Sequence, residues 1–319
     1  MPFGDVIKRA TIHATVEISI KKILRDPKRG IRNAVDLFDC FTRDKFDSTL
    51  IKGIRRDACN SKSAFFKTVY AMVKNVDPAI LKTVGTNLCY NRVAFFPSRE
   101  KKAEPSWERE ISRRSLESVV QGGKERGIYF YILCGDSSLS LSGSVLKTCR
   151  ENGDCVFYIL AGAKHIDGTF AQNAARAGNL ILALDVSAEA SSGALSGSDR
   201  RAFALLKRYR CLYGYSVRAG SAAALPCYQS EFIKRMANLG CLFGWYSCKP
   251  GQDRVSFTKA IQNMIRNSAH SSAPPVLLLY PELDRRLRKR FTVGGRCYLL
   301  LRDREIAARY RLSGRKAAP

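Results

Sequence analysis

Directly after the apolar run YFYILC, residues 129–134, stand Gly135, Asp136, Ser137 and Ser138. A glycine permits a tight strand-to-loop turn, a carboxylate faces cations or amino groups, and two hydroxyls can donate or accept, so the four together suit a small polar ligand. Asp185 and Ser187, in LALDVSAE, close a second apolar run in the same way. Ligands of α/β proteins bind at the carboxyl ends of parallel strands, so the two groups would share one site if their runs are strands of one sheet. His165 follows a third such run, CVFYILAG. Any acid, base or thiol chemistry would therefore be drawn from Cys134, Asp136, His165 and Asp185. His13 and His270 stand apart in sequence, and three scattered histidines do not make a histidine metal centre.

The elements that would position these residues follow a regular order. ISRRSLESVVQGGKERG precedes IYFYILCG, SGSVLKTCRENGD precedes CVFYILAG, and DGTFAQNAARAGN precedes LILALDV. DRRAFALLKRYRC then leads to LYGYSVRAG and QSEFIKRMANLG to CLFGWYSC, with a further apolar run in PPVLLLYPEL. Helical patterns of ten to fifteen residues alternating with short apolar runs predict right-handed crossovers and a parallel sheet. The expected fold is α/β, an incomplete or distorted parallel (β/α) barrel. A doubly wound sheet is the alternative, although no dinucleotide-binding glycine pattern follows a strand.

Ahead of these units the periodicity is helical. DVIKRATIHATVEISIKKIL, IRNAVDLFDCF and SAFFKTVYAMVKNV carry apolar residues at spacings of three and four, and Asp77 before Pro78 marks a helix start. The expected organisation is a helical region over 1–97, a polar connection over 98–110, the partial barrel over 111–303 and a basic tail over 304–319.

Lys and Arg number 54 against 28 acids, a net charge of +26, which suits nucleic acid, an anionic membrane surface or an acidic protein partner. From Arg285 to Pro319 twelve basic residues face Asp303 and Glu305, and Arg285, Arg286, Arg288, Lys289 and Arg290 form the densest run, a candidate contact for an anionic partner. No run approaches the roughly 20 apolar residues of a membrane span, and the expected location is cytoplasmic. Basic residues mixed with apolar ones at the amino terminus are also the pattern of an organellar address or a surface-lying helix. The eleven cysteines are odd in number and scattered, without a C-x-x-C pair, as expected of buried thiols in a reducing compartment.

In order and spacing, VDPAILKT, QGGKERGIYFYILCGD and LFGWYSCKPGQD resemble segments of the radical S-adenosylmethionine enzymes, specifically a bacterial group with a helical extension before its barrel. The resemblance implies three cysteines spaced C-x-x-x-C-x-x-C after the first barrel strand, which hold a four-iron, four-sulfur cluster. No such triplet occurs: the positions four and seven beyond Cys89 are Val93 and Phe96, and the first strand and cluster loop are expected to be missing between about Lys102 and Ile111. Where the family has Gly-Gly-Glu-Pro, this chain has Gly135, Asp136, Ser137 and Ser138; where it has a serine and a glutamate, this chain has Asp185 and Ser187; Arg200 is the nearest arginine for the cofactor carboxylate. Gly135, Asp136, Ser137 and Asp185 are thus implied as a vestigial cofactor site, with no cofactor expected and residual S-adenosylmethionine binding as the remaining alternative. The expected function is that of a non-catalytic pseudoenzyme, a binding or regulatory partner of a protein such as an intact relative. A basic nucleic-acid-binding protein, or a divergent enzyme using the surroundings of residues 134–136 and 185, are the alternatives.

Overall fold

The computed structural model describes residues 3–42, 48–94, 108–110, 116–125, 129–134, 143–186, 195–219, 230–248, 253–269, 277–279 and 299–302. Among these residues five helices come first: α1 (Phe3–Arg25), α2 (Pro27–Thr42), α3 (Ser48–Cys59), α4 (Ala64–Asn75) and α5 (Pro78–Ala94). The start of α5 is set as the sequence predicts. Asp77 Oδ1 accepts from the Ala79 amide at 2.8 Å, and Pro78 needs no partner for an amide it lacks.

Strands and helices then alternate: β1 (Glu108–Glu110), α6 (Leu116–Lys124), β2 (Phe130–Cys134), α7 (Gly143–Glu151), β3 (Val156–Gly162), α8 (Gly168–Ala177), β4 (Leu180–Asp185) and α9 (Gly197–Arg208). They continue with β5 (Tyr213–Ala219), α10 (Ser230–Asn238), β6 (Phe243–Cys248), α11 (Arg254–Ala269), β7 (Leu277–Leu279) and β8 (Leu299–Arg302). Among the described residues the strands form one sheet in the order β1-β8-β2-β3-β4-β5-β6-β7, and every pair is parallel.

From β2 to β7 the order never reverses, and residues of all six helices α6 to α11 join one core with Tyr131, Phe157, Leu182, Tyr215 and Tyr246 on a single face of the sheet. A doubly wound sheet reverses its order and divides its crossover helices between both faces, whereas here all six lie on one, so the half-barrel reading holds. The opposite face carries Ile132, Tyr158, Ala183 and Phe243, which pack with the amino-terminal helices through Val73, Val76, Ile80 and Val84. Those helices thus cover what a closed barrel would keep inside.

Two side chains bind the helical region to the amino ends of the strands. Asn87, fully buried on α5, donates to the carbonyls of Gly153 and Cys155 at 2.8 and 3.1 Å while accepting from Arg9 of α1 at 2.6 Å. Arg210, at the turn into β5, donates to the carbonyls of Lys74, Asn75 and Val76 at the end of α4, and its own carbonyl accepts from the Asp77 amide at 2.9 Å. A guanidinium there also faces the negative end of the helix dipole. Arg210 holds a left-handed backbone, φ 51°.

One expectation is corrected. Glu108–Glu110 lies within the segment read as a polar connection without a strand, yet it forms the edge strand β1 beside Leu300–Arg302 of β8. Backbone pairing with a neighbour, and no apolar pattern of its own, makes this a strand. The tail over 304–319 lies outside the described residues.

Candidate functional site

Side chains alternate along a strand, so the register assigns each residue of β3 to β6 to a face. On the concave face lie Tyr158, Leu160 and Gly162 of β3, Ile181, Ala183 and Asp185 of β4, Gly214, Ser216 and Arg218 of β5, and Phe243, Trp245 and Ser247 of β6. This face is apolar near the amino ends of the strands and polar at the carboxyl ends. Gly162 pairs with Asp185, Asp185 with Ser216, and Arg218 with Ser247, which makes a polar rim across four strands.

The centre of the rim is Asp185 and Arg218. Arg218 Nη2 stands 3.9 Å from Asp185 Oδ2, with the two side chains 33% and 35% exposed. This separation is electrostatic contact beyond hydrogen-bond length. Ser216, between them in register, is 5% exposed. His165 lies on a short 3₁₀ turn, Ala163–His165, immediately after β3, with its Cδ2 3.9 Å from the point where a side chain at Gly162 would begin. Burial, with the Lys164 charge second, holds the His165 imidazole below its ordinary pKa, so it is neutral at pH 7.

Below the rim the concave face is filled by the chain itself. The rings of Tyr158 and Trp245 are 4.8 Å apart between centroids, and Tyr158 and Phe243 5.7 Å. Gly214 gives these rings their room: a side chain there would overlap the Phe243 carbonyl oxygen and ring.

Of the residues singled out by sequence, Asp185 occupies the rim and His165 lies at its β3 end. Cys134 is the last residue of β2, paired with Leu160, while Gly135, Asp136, Ser137, Ser138 and Ser187 lie outside the described residues. So do His270 and the basic run Arg285, Arg286, Arg288, Lys289 and Arg290. His13 is exposed on α1. Arg200 is exposed on the first turn of α9, and the arginine that reaches Asp185 is Arg218, which the sequence reading passed over. Its signal was a charge at alternate spacing after Gly214 and Ser216, at the end of an apolar run.

The thiols sort by position. Cys149, Cys155, Cys211 and Cys241 are buried as expected, whereas Cys40 and Cys59 are exposed. Cys155, Cys211 and Cys241 each precede a strand, at the end of the sheet opposite the rim. Burial pushes the Cys155 and Cys211 thiols up to about 12, disfavouring the thiolate that metal binding or nucleophilic attack requires. Among the described residues no three His, Cys, Asp or Glu side chains gather as a metal-ligand set. A second polar cluster, between α2 and α3, is internally paired: Arg55 donates to Asp36 at 2.9 Å and to Asp39 at 2.8 Å beside Arg32 and Cys59.

Comparison of the chain with family models, with characterised proteins and with solved structures returns no match.

Proposed function

We propose that the protein is a non-catalytic relative of the radical S-adenosylmethionine enzymes whose half-barrel acts as a binding or regulatory partner of another protein. The observation that carries this reading is the missing three-cysteine motif, together with Gly135, Asp136 and Ser137 in place of the family's cofactor loop. Below the rim the rings of Tyr158, Phe243 and Trp245 pack on one another, as side chains fill the interior of a barrel. Above them, Asp185 stands beside Arg218. A half-exposed carboxylate and guanidinium at the rim present charge of both signs to a partner, with specificity set by electrostatic complementarity. An intact relative is the partner class that the resemblance favours.

The test has two arms. Purified protein, reconstituted anaerobically with iron and sulfide, is mixed with S-adenosylmethionine; the expected result is no 5′-deoxyadenosine and no cofactor retained on equilibrium dialysis. Cleavage would overturn the reading. The tagged protein is then recovered from extract with and without nuclease. One defined protein that persists after nuclease and is lost with Asp185→Ala or Arg218→Ala supports the proposal. Protected nucleic acid would move the second reading ahead, a reading that the +26 charge and the basic run from Arg285 to Arg290 favour.

A further inference from the structure

We infer that helix α1 is an interfacial anchor that lays its exposed face on an anionic lipid surface. The helix is apolar on both sides. Ile12, Ile20 and Ile23 are buried within the helical region. At 100° per residue, Val6, Ile7, Ala10, Ala14, Ile18 and Leu24 fall in an opposing arc about 120° wide, and all six are exposed. The four large ones are half out in solvent: Val6 51%, Ile7 52%, Ile18 49% and Leu24 49%. Single exposed apolar residues are ordinary, but six in one arc from Val6 to Leu24 make an exposed apolar face.

Charge complementarity selects the occupant. Lys21, Lys22 and Arg25 are exposed at the carboxyl end of α1, and Lys28 and Arg29 follow on α2. The acid inside the stripe, Glu17, is neutralised by Lys21 at 2.8 Å and Lys82 at 3.4 Å. Lys21 and Arg25 lie within the arc at its carboxyl-terminal end, and their long stems suit a helix lying in the headgroup region: the apolar side chains enter the acyl boundary and the stems reach up to the phosphates. No described helix is long and apolar enough to cross a membrane, which leaves a helix lying on the surface as the lipid-bound arrangement of α1. Arg9 ties α1 through Asn87 to the loop before β3, so the anchor would carry the half-barrel with it.

The experiment is co-sedimentation of the full chain with vesicles of phosphatidylcholine alone and of phosphatidylcholine with an equal part of phosphatidylglycerol. The protein is expected to pellet with the anionic vesicles and not with the neutral ones. The combined variant Val6→Ser, Ile7→Ser and Ile18→Ser should weaken binding about tenfold or more while keeping the wild-type melting curve, because the side chains it shortens are half exposed. Ile18→Trp should gain a blue-shifted emission component that brominated phosphatidylglycerol quenches. No binding, equal binding to both vesicles, binding unchanged in the serine variant, or an added tryptophan emission that the brominated lipid leaves unquenched would each overturn the inference. So would a concentration-dependent dimer that the serine variant abolishes, since the stripe would then belong to a second copy.

Discussion

Tyr158 on β3 and Trp245 on β6 meet across the concave face with ring centroids 4.8 Å apart and planes tilted by 36°, although β4 and β5 run between their strands. In a flat sheet, strands three places apart are separated by about 14 Å. The rings meet because the sheet curls toward this face, and because Ala183 and Gly214 leave the intervening floor low. This contact is a direct measure of the half-barrel's curvature, and substitutions there should be felt across the sheet.

Tyr158→Ala is expected to cost about 3–5 kcal/mol, as for a large aromatic in a core, and Trp245→Ala less, since Trp245 is half-buried. The double variant should be less destabilised than the sum of the two by about 0.5–1.5 kcal/mol, the coupling of an aromatic pair. Urea denaturation of the four proteins in the cycle measures this. Strict additivity would mean that the rings do not interact.

Gly214→Ala should destabilise by about 1–3 kcal/mol through overpacking, because the new methyl meets the Phe243 carbonyl and ring. Gly122→Ala, inside α6 with open space around the added carbon, should instead stabilise by about 0.5–1 kcal/mol. Opposite shifts of the urea midpoint are the expected observation; equal shifts would show that crowding at Gly214 is not what selects glycine.

Asn87→Ala removes the donor to two carbonyls before β3 and the acceptor for Arg9. The Cys155 carbonyl keeps Asn179 at 3.2 Å, but the Gly153 carbonyl and Arg9 lose this partner, which should cost about 1–3 kcal/mol. Amide exchange should rise in α1 and α5 before it rises in β4 and β5, whose packing does not pass through Asn87. Uniform loss of protection would place the anchor elsewhere.

Among the cysteines whose side chains are described, alkylation at pH 8 should modify Cys40 and Cys59 first, then Cys89, whose thiol burial pushes up to about 11. Cys155 and Cys211, pushed up to about 12, would be thiolate in only roughly one molecule in 10,000. Peptide mapping over time gives the order. Early labelling of Cys155 or Cys211 in folded protein would contradict their placement.

Stability should fall as the pH drops below about 6.5 through His165. Its folded-state pKa is lowered by burial and Lys164, so the unfolded chain takes up the proton first, and the neutral ring's contribution is lost until the folded pKa is reached. Replacing it, His165→Gln, should flatten the melting temperature between pH 7 and pH 5 relative to wild type. An unchanged pH profile would mean that the ring is as hydrated in the folded protein as in the unfolded chain.

The local chemistry of the chain was enough to determine most of its elements. Apolar runs such as CVFYILAG and LILALDV, bounded by glycine and polar residues, could only become buried strands, and the helical spacing between them required crossovers. Asp77 and Pro78 marked the start of α5 in the same local way. What the chain order could not determine was spatial order and depth. Strand β8 inserts between β1 and β2, and the charged Glu108–Glu110 becomes a strand, because both are set by backbone pairing between segments far apart in sequence. Asp185 was legible as a strand-end carboxylate, but its partner was not: Arg218 lies 33 positions on and reaches it only because parallel register sets β5 beside β4. The stripe on α1 likewise needed the fold, since Ile12 and Ile18 are the same residue in sequence and only packing decides that one is buried and the other faces solvent.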